Sequence, residues 1–137
     1  MNSKIIEQVK NLSFALYEPN YEVRTQHFTF VYYKGRILTI GRNNIKTNPL
    51  NLRNLDFRLN DSPPFKGTCS ELHAAIKLKN KTNIDFGKIS MINVRVDKNM
   101  KISNSKPCRF CHNLLAYLAP KNVFYSNDNG EFEEFNW

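Results

Sequence analysis

The chain has 137 residues, of which 41% are hydrophobic, and a formal net charge of +8. This length fits one domain, residues 1–137, built from a single sheet with helices on its faces. No apolar run is long enough for a transmembrane helix, and the first residues lack a signal-peptide core. We therefore expect a cytoplasmic protein with no membrane contact.

The charge is unevenly distributed along the chain. Residues 1–127 hold all 20 basic residues and eight of the twelve acidic ones, which gives this part a net charge of +12. A basic surface of this kind attracts polyanions such as nucleic acid. A solvated, lysine-rich surface that aids solubility explains the same charge equally well, so composition leaves both explanations open.

The first third of the chain predicts a helix and a hairpin. Apolar residues recur at three- and four-residue spacing between positions 5 and 16, which predicts an amphipathic helix that ends before Pro19. Residues 27–33 are rich in aromatic and β-branched side chains and predict a strand, which Lys34-Gly35 turns into a second strand over 36–41. Residues 42–67 show no period and predict a long loop.

The rest of the chain predicts two helices and three strands. Ser70 is a good N-cap for a helix over 71–79, and an apolar segment at 89–96 predicts a central strand. A second helix runs from 108 to 118, where Ala119-Pro120 stops it. Strands over 123–126 and 131–135 follow, and the tight turn between them makes them antiparallel.

Two segments carry metal-binding residues. Pro107 precedes a Cys-x-x-Cys pair, Cys108 and Cys111, and His73 lies 35 positions before Cys108. Two cysteines three apart at the start of a helical turn can point at one ion, and a histidine from a neighbouring helix completes three ligands. Zinc favours such N and S ligands, with the fourth position open in catalytic sites. A lone Cys-x-x-Cys is also compatible with a redox pair or with half of a structural zinc site.

These residues resemble the signature of the zinc-dependent cytidine deaminase superfamily, His-x-Glu followed later by Pro-Cys-x-x-Cys. The match covers His73, Pro107, Cys108 and Cys111, and the order of elements extends it along nearly the whole chain. The family's proton-shuttling glutamate falls two residues after the histidine, where this chain has Ala75.

The resemblance implies an α/β fold in three layers, α/β/α. Its elements follow the order α-β-β-α-β-α-β-β, with a five-stranded mixed sheet and the two motif helices side by side on one face. The antiparallel last strand is similar to the branch of free cytidine deaminases. It differs from the branch of dCMP deaminases and tRNA adenosine deaminases, whose last strands run parallel.

The resemblance also implies the chemistry. Zinc makes hydroxide available near neutral pH, and in the family that hydroxide attacks C4 of cytosine while a carboxylate shuttles the proton. Ala75 has no titratable group, and Glu71 lies roughly 200° around the helix from His73, so we expect zinc binding without turnover. We expect Cys69 to be a buried apolar cysteine. An engineered inactive mutant and a natural pseudoenzyme both fit the sequence.

The resemblance implies that an asparagine just past the second strand holds the sugar, and Asn43 and Asn44 are the candidates. Phe28 and Tyr125 are candidates for base stacking. Basic residues expected around the mouth of the site are candidates for phosphate contacts, namely Arg42, Lys46, Arg53, Lys106 and Arg109.

The predicted function is a zinc hydrolase that converts cytosine to uracil in single-stranded DNA or RNA, in a form that lacks its catalytic acid. The net charge of +12 on residues 1–127 favours this substrate. The small size and the antiparallel end of the sheet favour the alternative, a deaminase of free cytidine, deoxycytidine or their nucleotides. An adenine (tRNA-type) deaminase and a non-catalytic zinc-binding nucleic-acid module stay open, as does assembly into a homo-oligomer.

Overall fold

The computed structural model describes residues 2–22, 25–44, 69–107 and 109–136, the last range by its backbone alone at positions 109 and 110. Within these ranges the chain forms three α-helices, six strands and a short 3-10 helix at Phe86–Lys88. In chain order these are α1 (Ser3–Leu16), β1 (Gln26–Tyr33), β2 (Arg36–Arg42), α2 (Ser70–Lys81), β3 (Ser90–Val96), β4 (Ile102–Ser103), α3 (Arg109–Leu118), β5 (Asn122–Ser126) and β6 (Phe132–Glu134).

The strands form one mixed sheet with the order β2-β1-β3-β5-β6, and β4 pairs with β3 beside β5. β1 runs antiparallel to β2 and to β3, while β3 runs parallel to β5. β5 and β6 are antiparallel, so the predicted end of the sheet is confirmed. Among the described residues, the two-residue strand β4 is the one addition to the predicted order of strands.

Helices cover both faces of the sheet, which confirms the three-layer architecture. α1 packs through Ile5 and Val9 against one face, in a cluster that also contains Phe28 and Phe30 of β1. α2 and α3 lie side by side on the other face. Their contact is an apolar cluster that contains Leu72, Ala75, Ile76, Leu114 and Leu118.

α2 packs closely against the edge strand β2. A Cβ atom added at Gly41 of β2 would lie 2.6 Å from Cβ of Ala74, and it would also meet the backbone of Ser70, so only glycine permits this contact. Two lysines of α2 strengthen it, because the ammonium groups of Lys77 and Lys81 donate to the carbonyls of Ile40 (2.7 Å) and Leu38 (2.6 Å). These contacts fix the N-terminus of α2 above the middle of the sheet.

From position 45 onwards, the predicted loop over 42–67 lies outside the described residues. No helix in the described part of the chain is long and apolar enough to cross a membrane.

Candidate metal and active site

The N-termini of α2 and α3 bring two thiols and a carboxylate together. The ligand atoms of Cys69, Glu71 and Cys111 all lie within 4.8 Å of one another. Cys69 is the N-cap of α2, and its Sγ accepts a hydrogen bond from the backbone N–H of Leu72 at 3.4 Å. Cys111 is buried in the first turn of α3. The positive ends of both helix dipoles therefore face one small volume.

This donor set fits zinc. Thiolate ligands select zinc over magnesium and calcium, which prefer oxygen donors. Two sulfur ligands that each lie about 2.3 Å from a tetrahedral zinc ion are about 3.8 Å apart. The ligand atoms of this cluster lie within 4.8 Å of one another, so their spacing is compatible with such an ion. Cys108, the other predicted cysteine ligand, lies outside the described residues, directly before α3.

His73 does not belong to this cluster. Its Nδ1 accepts a hydrogen bond from the backbone N–H of Arg42 at 2.9 Å, which ties α2 to the end of β2. Burial lowers the pKa of His73, and the nearby charge of Lys77 lowers it further. In this structure the Nδ1 lone pair of His73 is therefore engaged by the Arg42 N–H.

Ala75 and Glu71 also have places other than those expected. Ala75 is fully buried in the apolar cluster between α2 and α3. Glu71 is 6% exposed and belongs to the thiol cluster, so the expectation that it points away from the site is wrong. Around α2, Glu71 lies on the side opposite His73. The cluster with Cys69 and Cys111 lies on the Glu71 side of the helix.

The Glu71 carboxylate lies on a buried polar group at the centre of the sheet. The hydroxyl of Ser70 donates to Oε1 of Glu71 at 2.7 Å, and Oγ1 of Thr29 lies 2.8 Å from Oγ of Ser70. Oγ1 of Thr29 also lies 2.8 Å from Oδ1 of Asn93, its partner in the β1–β3 register. The predicted N-cap, Ser70, thus serves the carboxylate, and Cys69 caps the helix one residue earlier.

The next pair of residues along β1 and β3 is also polar. His27 pairs with Arg95, two residues from Thr29 and Asn93 on the same face of the sheet. Burial and then the charge of Arg95 lower the pKa of His27 to about 4. Its Nδ1 lies 2.9 Å from Oγ of the buried Ser105.

The residues predicted for the site do not include four polar residues of this region, namely Thr29, Asn93, Arg95 and Ser105. One signal in the sequence points to two of them. Asn93 and Arg95 are polar residues at i and i+2 in a strand that is otherwise mostly apolar, so they share one face. The Nε atom of Arg95 is buried and has no hydrogen-bond partner among the described residues.

Arg42 and Asn43, two of the predicted substrate contacts, are engaged with the protein itself. The guanidinium of Arg42 lies 4.2 Å from the ring centroid of Tyr21, and it donates to the carbonyl of Leu16 at 2.6 Å. It also forms an ion pair with Glu18 at 3.2 Å. The side-chain amide of Asn43 donates to the carbonyl of Thr25 at 2.7 Å, and its Oδ1 accepts from the N–H of His27 at 2.9 Å. These contacts hold the start of β1 against the end of β2.

The remaining predicted contacts are divided between the two faces of the sheet. Phe28 is buried in the cluster on the α1 face, so the structure does not bring it to the thiol cluster. Tyr125 lies on the α2–α3 face beside Asn93, and its ring forms an edge contact with Phe135. The amide of Asn44 donates to the carbonyl of Arg42 at 3.5 Å, and Lys106 is exposed. Lys46, Arg53 and the side chain of Arg109 lie outside the described residues.

The fold is similar to that of a dCMP deaminase from the cyanophage S-TIM5. Two crystal structures of that enzyme, one in apo form and one in complex with dCMP and dUMP, each superpose with a TM-score of 0.59 at 20% sequence identity. Each match covers 93% of this chain, and 86% and 85% of the two solved chains. No family model and no curated protein sequence matches the chain.

This likeness confirms the cytidine deaminase-like fold predicted from the sequence. The matched enzyme is named a dCMP deaminase, and the antiparallel pair β5–β6 is the feature expected to distinguish this chain from that branch. The direction of the last strand therefore does not decide the substrate.

Proposed function

We propose that this chain is a zinc-dependent hydrolytic deaminase that converts the cytosine of a free nucleotide such as dCMP to uracil. The observation that carries the proposal is the cluster of Cys69, Glu71 and Cys111. In the sequence these residues belong to Cys-x-Glu followed by Pro-Cys-x-x-Cys. Zinc deaminases use either one histidine with two cysteines or three cysteines as ligands, so the pattern is complete with Cys69 in the histidine's place.

The roles follow from this alignment of the motif. Cys69, Cys108 and Cys111 hold the metal, and Glu71 is the general acid and base. Zinc bound there supplies a hydroxide nucleophile near neutral pH. Glu71 takes one proton from the attacking water and delivers it to the ring nitrogen N3. It then takes the second proton from the hydroxyl added at C4 and delivers it to the amine, so that the C4–N bond breaks and cytosine and water become uracil and ammonia.

The same alignment replaces the expectation of an inactive protein. The acid required for turnover is present as Glu71, and Ala75 lies in the apolar contact between α2 and α3. We therefore propose that the chain is active as its sequence stands.

A free nucleotide is the favoured substrate for two reasons. The solved structure with the same fold contains dCMP and dUMP. In addition, Arg42, one of the basic residues expected to grip a strand, is held by α1 and by Tyr21. Single-stranded nucleic acid is the second candidate, and the net charge of +12 on residues 1–127 favours it.

The test is deamination by the zinc-loaded chain, with equal cytosine content offered as cytidine, dCMP, single-stranded DNA and RNA, and with adenosine as a further substrate. We expect turnover of dCMP, and a loss of about 100- to 10,000-fold in Glu71→Gln with zinc retained. A zinc-loaded wild-type chain that deaminates none of these substrates would instead be a non-catalytic binding module. Full activity of Glu71→Gln would remove Glu71 from the mechanism.

A further inference from the structure

The polar residues beneath Glu71 are more deeply buried than the carboxylate itself. Thr29 and Asn93 are fully buried and Ser70 is 1% exposed, whereas Glu71 is 6% exposed. Successive oxygen atoms along the path Asn93–Thr29–Ser70–Glu71 are 2.8, 2.8 and 2.7 Å apart. Buried polar groups at such distances need one hydrogen for each contact.

With the Asn93 amide oriented so that its oxygen faces Thr29, the available hydrogens do not suffice. In the proposed mechanism Glu71 begins as a carboxylate that takes a proton, and in that state the single hydrogen of the Ser70 hydroxyl goes to Oε1 of Glu71. The Thr29 hydroxyl has one hydrogen for three oxygen neighbours: Oγ of Ser70 and Oδ1 of Asn93, each at 2.8 Å, and Oε1 of Glu71 at 3.5 Å. One of the two 2.8 Å contacts is then between lone pairs. Nδ2 of Asn93 is also buried without a hydrogen-bond partner among the described residues.

Exchanging the oxygen and nitrogen of the Asn93 amide removes the contact between lone pairs. The two orientations of a side-chain amide have the same shape and are assigned from the hydrogen-bond network. After the exchange, Nδ2 of Asn93 donates to Thr29, Thr29 donates to Ser70, and Ser70 donates to Oε1 of Glu71. Each hydroxyl then accepts one bond and donates one, and each bond in such a chain polarises the next.

We infer that Asn93, Thr29 and Ser70 form a one-way hydrogen-bond chain that positions the Glu71 carboxylate for proton transfer. The inference rests on the proposed function. The chain begins on the central strand β3, crosses to β1 and ends at the first turn of α2, so the sheet itself fixes the acid. It holds Oε1 and leaves the other carboxylate oxygen for the substrate side. Thr29, Ser70 and Asn93 act through Glu71 and are positioning residues.

The first test is kinetic. Thr29→Val keeps the shape of the side chain and removes its hydroxyl. We expect it to lower kcat for dCMP about 10- to 100-fold, with KM within about twofold of the wild-type value and zinc retained. Thr29→Ser restores the hydroxyl and should recover most of kcat. Thr39→Val is the matched control, because Thr39 is buried on the same sheet at the pairing partner of Val31, away from Glu71, and this variant should keep wild-type kcat.

The second test does not depend on activity. In protein labelled with 15N at asparagine, Thr29→Val removes the acceptor of the Asn93 amide, so one side-chain N–H proton of Asn93 should move upfield. Thr39→Val should leave it in place. The shift is measured without substrate, so the hydrogen-bond chain is tested even if no substrate is turned over. If Thr29→Val does not fold, Ser70→Ala breaks the chain one bond later and should show the same loss of kcat.

An unchanged Asn93 resonance in Thr29→Val would show that the amide does not donate to Thr29 and would overturn the inference. So would a wild-type kcat in both Thr29→Val and Ser70→Ala. Failure of the proposed function is distinguishable, because it would leave the wild-type chain without deaminase activity whatever the resonance does.

Discussion

His27 is a half-buried base with a charged neighbour. Burial, and then the charge of Arg95 beside it in the sheet, lower its pKa from 6.5 to about 4. In the folded protein the ring stays neutral until the pH approaches 4, whereas in the unfolded chain it takes up a proton near pH 6.5. The stability that depends on a neutral His27 is therefore present above pH 6.5 and is lost as the pH falls to 4.

We predict that this single group removes about 3 kcal/mol of the free energy of unfolding between pH 7.5 and pH 4. His27→Gln should show a smaller loss over the same range, because glutamine does not titrate. Urea denaturation at pH 7.5, 5.5 and 4 measures the difference. The control is His112→Gln, which removes an exposed histidine of α3. Equal pH dependence in His27→Gln and the wild type would contradict the account.

At the residue scale, the proposed acid Glu71 lies about one helical turn before Ala75, the position predicted from the sequence. His73 and Cys69 are four residues apart, so both lie near the start of α2. The His-x-Glu form of the signature aligns with His73, and Ala75 then stands at the position of the glutamate. Reading Cys69 as the ligand puts Glu71 in that place. The hydrogen bond from the backbone N–H of Arg42 to His73 is the observation that favours Cys69 in our proposal, and no pattern within α2 predicts that contact.

At the element scale, the position of the site depends on how closely α2 approaches β2. Gly41 has no Cβ, and the space that a Cβ would fill is taken by the backbone of Ser70 and by Ala74. Because backbone cannot move aside as a flexible side chain does, an added methyl group must displace the helix. Cys69 and Glu71 would move with it.

We predict that Gly41→Ala lowers the free energy of unfolding by about 3 kcal/mol and reduces zinc retention. Gly87→Ala is the matched control, because a Cβ there would meet Oδ1 of Asp85 at an ordinary 3.5 Å. Denaturant titration and metal analysis of both variants check the expectation. A Gly41→Ala protein with wild-type stability and full zinc would show that α2 does not depend on this contact.

The contact between α2 and α3 gives a second prediction. Ala75→Glu places a carboxylate among Leu72, Leu114 and Leu118 without a partner, so we expect a loss of about 3 kcal/mol or more and no gain of deaminase activity. Ala116→Glu makes the same change on the exposed side of α3 and should be nearly neutral. A stable Ala75→Glu protein with raised activity would restore Ala75 as the position of the acid.

The sequence predicts the elements well where the periodicity is strong. The three helices, the hairpin and the antiparallel end all follow from spacing and turn residues. The two-residue strand β4 is too short to leave a pattern in the sequence. The division of Phe28 and Tyr125 between opposite faces depends on strand register in the folded sheet, which composition alone does not specify.

At the scale of the whole molecule, the net positive charge does not by itself identify the substrate. The basic residues give residues 1–127 a charge of +12, yet Arg42 is held by contacts within the protein. A basic surface that is only solvated attracts polyanions weakly and without orientation.

We predict that kcat/KM for dCMP falls only slightly between 50 and 200 mM salt, since a single phosphate releases few counterions. A strand that neutralises many charges would lose affinity about 1,000-fold or more over that range. Initial rates with dCMP and with single-stranded DNA at several salt concentrations make the comparison. A faster and strongly salt-dependent reaction of the strand would make polynucleotide the substrate.

The central claim is that the metal and the acid belong to Cys69-x-Glu71 rather than to His73-x-Ala75. Zinc stoichiometry of two variants tests it most directly. Cys69→Ser removes a proposed ligand, and His73→Asn keeps an acceptor for the Arg42 N–H while removing the imidazole. We predict that Cys69→Ser loses its zinc under native mass spectrometry and that His73→Asn keeps a full equivalent. Loss of zinc from His73→Asn, with zinc retained in Cys69→Ser, would contradict the account.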